Sequence, residues 1–477
     1  MKALKRTSII FLISVLMIVT SGCMPTMNQS DDGAANPSDP NQTDNVVVKL
    51  GTWPIPDSKN LAQYEEWKKQ FENEHPNIKI EPDSYPYDTN TFLPKAESGQ
   101  LPTIYETWFT EPIKIIGGDY AADITDLMEE YGWDKAINPD MLSLIKQDGK
   151  IYGIPTSGYY MGIWYNMNLF KQAGLLDENG VPKFPQTYEE LAEAAKTIKE
   201  KTGKAGFFFP TKNNQGGWQF MNIAWSYGAE FERVEDGKWK AVFNSPEAVE
   251  ALQFVKDLKW EHDVLQDNIL AEVDDMFQFF GTDQVGMAFG TTDWMQSPID
   301  RFKMNKDNLA NSSVPAGPKD RVALTGGELV MFAPNSTEEQ KKAGFEWQEH
   351  TGFSSNPSEE SLKGLEETLK NYKELGHIVG PHGMRVWVNP ERVKAEDAVR
   401  EKYSNVNMDL FTNYTDNKGV TFKPEVPVNA QELYKVLDGV IQEVLTNKNA
   451  DPKKLLDKAA ADFQRDYLDK AEVLEGQ

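Results

Sequence analysis

A single cysteine, Cys23, occurs in the 477 residues, and it stands directly behind a segment built like an export signal. Lys2, Lys5 and Arg6 form a basic start, an apolar run extends from Ile9 to Val19, and small residues follow, so residues 1–22 read as a signal peptide. The run is too short to span a membrane, and no later stretch reaches that length, so the remainder is expected to be a soluble body outside the membrane. Small exported domains are commonly stapled by disulfides. With no second cysteine, this body must be held together by buried apolar surface. At roughly 430 residues it is large enough for that and too large for one core, which predicts more than one domain.

The placement of Cys23 behind Ser21-Gly22 resembles the lipobox of bacterial lipoproteins, with Thr20 where Leu or Val is usual. The resemblance implies a lipid-modified thiol and an anchor at the extracellular face of a bacterial cell membrane, of Gram-positive type. Two acyl chains would make that anchor stable. An ordinary signal peptide with an incidental cysteine is the alternative. Residues 23–45 are rich in Asn, Ser, Asp, Pro, Gly and Thr and read as a polar tether.

The net charge is −25, with 26% charged residues, which argues against nucleic acid or an anionic lipid surface as a partner. The aromatic content is more informative: 12 Trp, 17 Tyr and 24 Phe, more tryptophan than core packing usually needs. Trp53, Trp108, Trp218 and Trp294 lie in turn-like contexts rich in Gly, Asn or Asp. Flat rings in loops suit the faces of a sugar; core filling is the alternative for any one of them.

Strands and helices alternate along the body. Val46–Leu50 is a β-branched run; Leu61, Tyr64, Trp67 and Phe71 then recur at helical spacing before His75-Pro76, and Ile78–Ile80 resumes a strand, which makes a β-α-β unit. Thr187 with Glu190 forms a capping-box pattern ahead of Leu191, Ala194, Ala195 and Ile198, and Gly203 stops that helix. Ser245-Pro246 opens another, with Val249, Leu252, Val255 and Leu258 facing inward. The fold class is α/β.

Motifs of chemistry are lacking. There is no phosphate-binding Gly-rich loop, dinucleotide fingerprint or nucleophile elbow. The five histidines (His75, His262, His350, His377 and His382) form no pair at helical i, i+4 spacing, so neither a metal nor a cofactor is expected. Carboxylates are abundant, so a glycosidase acid and nucleophile pair stays open by residue type.

An ordered series of segments covers most of the body: Phe71–Ile80, Ser98–Thr103, Asp148–Pro155, Trp164–Phe170, Phe184–Leu191, and Gly286–Gly290 followed by Asp293-Trp294. Together they resemble the extracellular solute-binding proteins of ATP-driven importers, in the branch that binds carbohydrates. Departures include Thr103 for the usual Asp, Met167 at a Lys position and Tyr188 for Trp. The resemblance implies a two-domain type II periplasmic-binding-protein fold with a ligand cleft between the domains and several hinge crossings. It predicts an N-terminal domain of residues 46–157 and 319–404 and a C-terminal domain of residues 158–318 and 405–477. The first crossover would fall at Gly158–Gly162 and the return at Val314–Pro318. Residues 350–405 fit the pattern least.

By the same resemblance the chain captures a sugar or oligosaccharide without converting it, closes on it, and delivers it to a membrane permease driven by a separate ATPase. A monomer is the expected state. The residues implied for the site are Trp53, behind the first strand; Glu106 and Trp108, behind the next; and Tyr159 and Tyr160 at the crossover. Trp218, Asp293 and Trp294 would form the second wall, and Gly327 and Glu328 would sit on the return strand. Arg385 is weaker, since a solvated surface charge is its plainer role. Tyr159 falls where maltose-binding protein has a ligand carboxylate, which implies a different sugar. Rival readings are a carrier of peptides or polyamines and a surface glycosidase, which turnover of a sugar polymer would distinguish.

Overall fold

The computed structural model describes residues 45–56, 58, 60–89, 91–471 and 473. The signal peptide, Cys23 and the tether up to Asp44 lie outside them. Among the described residues no helix is long and apolar enough to cross a membrane.

The β-branched run Val46–Leu50 forms a strand that pairs in parallel with Ile78–Pro82, Val46 opposite Ile78, with the helix Leu61–Glu74 between them. Ile104–Trp108 joins the other side of the first strand, where Leu50 meets Ile104. The sheet is extended by an eleven-residue return strand, Val322–Phe332, antiparallel to Ile104–Trp108 along its second half. On its other edge it takes the crossover strand Ile154–Tyr160. The first half of the return strand pairs in parallel with Thr421–Pro424. A second sheet has the order Leu309–Ser313, Gly162–Asn166, Val285–Gly290, Ala205–Phe208.

Two separate cores result. Val48, Leu50, Ile104, Trp133, Phe345 and Trp347 belong to the first. Ile163, Trp164, Phe207, Leu252, Met287 and Ile441 belong to the second. The chain leaves the first core along the crossover strand, with Ile154 in the first and Met161 in the second. It returns within the long strand: Ala323 and Leu324 still pack in the second core, Leu329 and Val330 in the first. The return therefore lies at Thr325–Glu328, later than Val314–Pro318, because one continuous strand is paired along both of its halves and carries the chain across. The segment 376–388 touches both sides, with Ile378 in the second core and Trp387 in the first. Its sequence showed neither allegiance because it serves both.

The helix boundaries follow their caps. Thr187 Oγ1 accepts from the Glu190 N–H at 3.2 Å, and Gly203 ends that helix in the left-handed region at φ +69°. The Glu190 carboxylate accepts from Gln186 N–H at 2.7 Å, one residue ahead of the partner a capping box requires. Ser245 caps the helix Pro246–Trp260 by accepting from Ala248 N–H.

Candidate functional site

Strand alternation builds the first wall of a cleft. Along Ile104–Trp108 the side chains of Tyr105 and Thr107 are buried, so Glu106 and Trp108 emerge on the opposite face. Trp108 lies opposite Glu328 in the return strand. Tyr159, on the crossover strand, lies opposite Gly326. A Cβ at Gly326 would stand 2.3 Å from the Tyr159 hydroxyl, so the ring occupies the room that only glycine leaves. Tyr160 points the other way: its ring stacks on Tyr414 with centroids 4.4 Å apart, and its hydroxyl donates to the Tyr414 carbonyl at 3.2 Å.

The second wall starts at the helix Gln215–Tyr227. Its first turn is held by Asp438, whose carboxylate accepts from the N–H groups of Asn214 and Gly217, each at 2.8 Å. Gly217 lets the helix Ala430–Thr446 approach closely, since a Cβ there would meet the Tyr434 carbonyl oxygen at 2.4 Å. This junction presents Trp218, whose ring lies 5.6 Å from that of Trp294 and 6.1 Å from that of Tyr159. Trp294 is backed edge-on by Phe277. Glu425 directly follows the strand Thr421–Pro424, with one oxygen accepting from the Tyr434 hydroxyl at 2.9 Å.

The two walls enclose a cavity of about 380 Å³. From the expected site it gathers Trp108, Tyr159, Gly327 and Glu328 on one side and Trp218, Asp293 and Trp294 on the other. It also takes in Asn213, Asn214, Gln215, Glu425, Gln431 and Tyr434, which sequence reasoning had not singled out as ligand contacts. The pair Asn213-Asn214, both at positive φ ahead of Gly216-Gly217, carried a signal of irregular backbone. Tyr434 carried none, because it lies on the apolar face of its helix and reads as core. No Lys or Arg is among the described residues lining this cavity.

The carboxyl groups here are held above their ordinary range. Burial, reinforced by the charge of Glu328, pushes Glu106 up to about 7. Burial pushes Glu425 up to about 8, opposed by its hydrogen bonds from Tyr434 and Trp218. Asp293 and Glu328 are exposed to the cavity, and the protein around them displaces enough water to raise both. A protonated carboxyl donates and accepts, as a hydroxyl does, so near neutral pH Glu425 can answer either end of a hydroxyl group. Among the described residues no group of three or more His, Cys, Asp or Glu side chains is arranged to hold a metal ion.

Four of the expected residues stand elsewhere. Trp53 is only 6% exposed and packs into the first core between Tyr64, 5.5 Å away edge-on, and Trp347. Glu106 shares the face of Trp108 but sits behind the lining. Tyr160 is bound to Tyr414 on the far side of its strand. Arg385 is committed to Glu396, Asp397 and His382, and faces a neighbouring cavity.

Two α/β halves, crossed several times by the chain and flanking one aromatic, carboxyl-rich cleft, define a two-domain binding protein of the periplasmic type. The chain belongs to the family of bacterial extracellular solute-binding proteins, which it matches over residues 56–347. Members of this family bind a solute for an ABC importer and do not convert it, so the chain is an extracytoplasmic carrier and not an enzyme. A putative binding protein of Brucella abortus is 26% identical over 294 residues, 59% of this chain and 67% of its own length. The arabinooligosaccharide-binding protein of Bacillus subtilis is 22% identical across 97% of this chain and all of its own. Among solved structures, the GacH receptor of Streptomyces glaucescens, described unliganded and with acarbose, aligns with a TM-score of 0.67. It shares 16% identity and covers 90% of this chain and 100% of that one.

Proposed function

We propose that the protein captures a sugar or oligosaccharide in this cleft, closes its two halves around it, and hands it to the permease of an ABC importer. The domains in this reading are those expected from the sequence, residues 46–157 with 319–404 and 158–318 with 405–477, the second boundary moved into the return strand. Cys23 is the lipid attachment point that keeps the carrier at the cell surface. The observation that carries the proposal is the composition of the cleft. Trp108, Tyr159, Trp218 and Trp294 offer flat faces, while Asp293, Glu328, Glu425 and the amides of Asn213, Asn214 and Gln431 offer hydroxyl partners around one cavity. Its volume falls within the roughly 300–1,000 Å³ of small-molecule sites. C–H faces of a sugar stack on rings, and its hydroxyls need exactly matched donors and acceptors, since an unmatched buried polar group is costly. The oligosaccharide named for the Bacillus subtilis relative supports the same class of ligand. Closure follows if the ligand touches both walls, because it then binds the closed form more tightly.

A thermal-shift panel of neutral and acidic oligosaccharides, with peptides and polyamines as controls, tests this. A shift from one sugar series, recovered unhydrolysed, is expected. A shift from a polyamine or peptide, with silence from every sugar, would refute the sugar reading.

A further inference from the structure

Beside the cleft lies a second cavity of about 490 Å³, separated from it by a shared wall, Asp293. Its floor is Ser157 and Gly158 of the crossover strand, one residue before Tyr159 of the cleft. Its far side is the passage from Val379 to Arg385 and the helix Pro390–Tyr403, which sends in Arg392, Glu396 and Arg400.

The guanidinium groups of this cavity are not equivalent. Arg392 donates to Glu396 at 2.8 Å and to backbone carbonyl groups of the preceding helix region. Arg385 is paired with Glu396 at 3.6 Å and with Asp397. Its Nη2 also donates to His382 Nε2 at 2.8 Å, which makes that ring the Nδ1–H tautomer, neutral and donating to the Gly383 carbonyl. Glu396 and Asp397 are thereby engaged. Arg400 has no hydrogen bond or ion pair from its side chain among the described residues, and its Nε is buried without a partner. Burial penalises the Arg400 cation most, the charge of Arg385 adds to that, and the nearby charges of Glu396 and Asp397 offset it only in part. A half-buried guanidinium whose buried Nε has no acceptor is costly unless something completes it.

We propose that this cavity is a subsite for an acidic sugar unit, whose carboxylate is held by Arg400 while the neighbouring units of the chain occupy the aromatic cleft. The proposal rests on the sugar-binding reading of that cleft. A carboxylate matches the flat fork of a guanidinium with two parallel hydrogen bonds. One free guanidinium balances a monoanion such as a uronate; a phosphate monoester, nearly doubly charged, would leave charge uncompensated beside Asp293 and Glu396. Asp293, at the junction of the two cavities, is then placed to bond the hydroxyls of the unit that bridges them.

Isothermal titration of the whole protein with matched pairs tests the assignment: trigalacturonate against its methyl ester, and a glucuronic-acid-branched xylo-oligosaccharide against the unbranched chain. In at least one pair the free acid is expected to bind about tenfold tighter or more, and Arg400→Gln should reduce it to the affinity of the neutral partner. Equal affinities within both pairs would overturn the subsite, as would an acid preference that survives in R400Q. The wild-type comparison stands by itself if R400Q fails to fold. Tighter binding of glucose 1-phosphate than of either uronide would overturn the carboxylate assignment. Neutral sugars that bind without any acid preference would sink the subsite alone, whereas silence from all sugars would remove the cleft reading with it.

Discussion

Glu232, 9% exposed in the second half, has one oxygen accepting from the Val428 N–H at 2.9 Å and the other buried without a partner. Burial pushes its carboxyl from an ordinary 4.5 up to about 8. The folded protein thus keeps the proton while the unfolded chain releases it above pH 4.5. The stability from the protonated group is fully present below that value and is lost as pH rises towards 8. Between pH 5 and pH 8 the loss integrates to about 3.5 kcal/mol for these two values, an upper figure that water entry would reduce. Glu232→Gln keeps an acceptor for Val428 and removes the titration. Urea unfolding of both proteins at the two pH values is the assay. The variant should gain on the wild type by on the order of 2–3 kcal/mol on going from pH 5 to pH 8. Parallel pH dependence of the two would show that Glu232 is ionised in the folded protein and refute the reasoning.

Trp294→Ala should weaken sugar binding by about 1 kcal/mol, roughly fivefold, by titration calorimetry; an unchanged affinity would remove this ring from the site. Tyr160→Phe should leave affinity unchanged and cost about 1 kcal/mol of stability, the bond to Tyr414, whereas a change in sugar affinity would place it in the cleft. Gly217→Ala should cost about 1–3 kcal/mol by denaturant unfolding, because its Cβ meets backbone of the facing helix; a melting curve superimposable on the wild type would show that the helices can separate.

Much of the lining of the candidate cleft was legible because several of its residues sit where local structure ends. Trp218 behind Asn213–Gly217 and Trp294 behind the strand Val285–Gly290 stand at turns, and turns are encoded by neighbours in sequence. Trp53 shows the limit of that logic. It follows the first strand as a cleft residue would, but Tyr64 and Trp347 close around it, and Trp347 lies nearly three hundred residues away. Burial against so remote a partner leaves no trace near Trp53 itself.

The sequence by itself determined the elements and their order. The β-α-β start, the caps at Thr187, Ser245 and Gly203, and the family to which the segments point all follow from residues close together along the chain. Only the tertiary structure decided which faces meet. That Tyr159 looks into the cleft and Tyr160 away from it depends on the register of the crossover strand against Thr325–Gly327, and a slip of one residue would exchange them. The same pairing moved the return crossing into that strand. Glu425 and Tyr434 joined Trp218 because Asp438 and Gly217 bring two distant helices together, and Arg400 was left without a partner because Arg385 and Arg392 had taken the carboxylates beside it. Such outcomes come from competition among groups far apart in sequence, and only the folded chain resolves that competition.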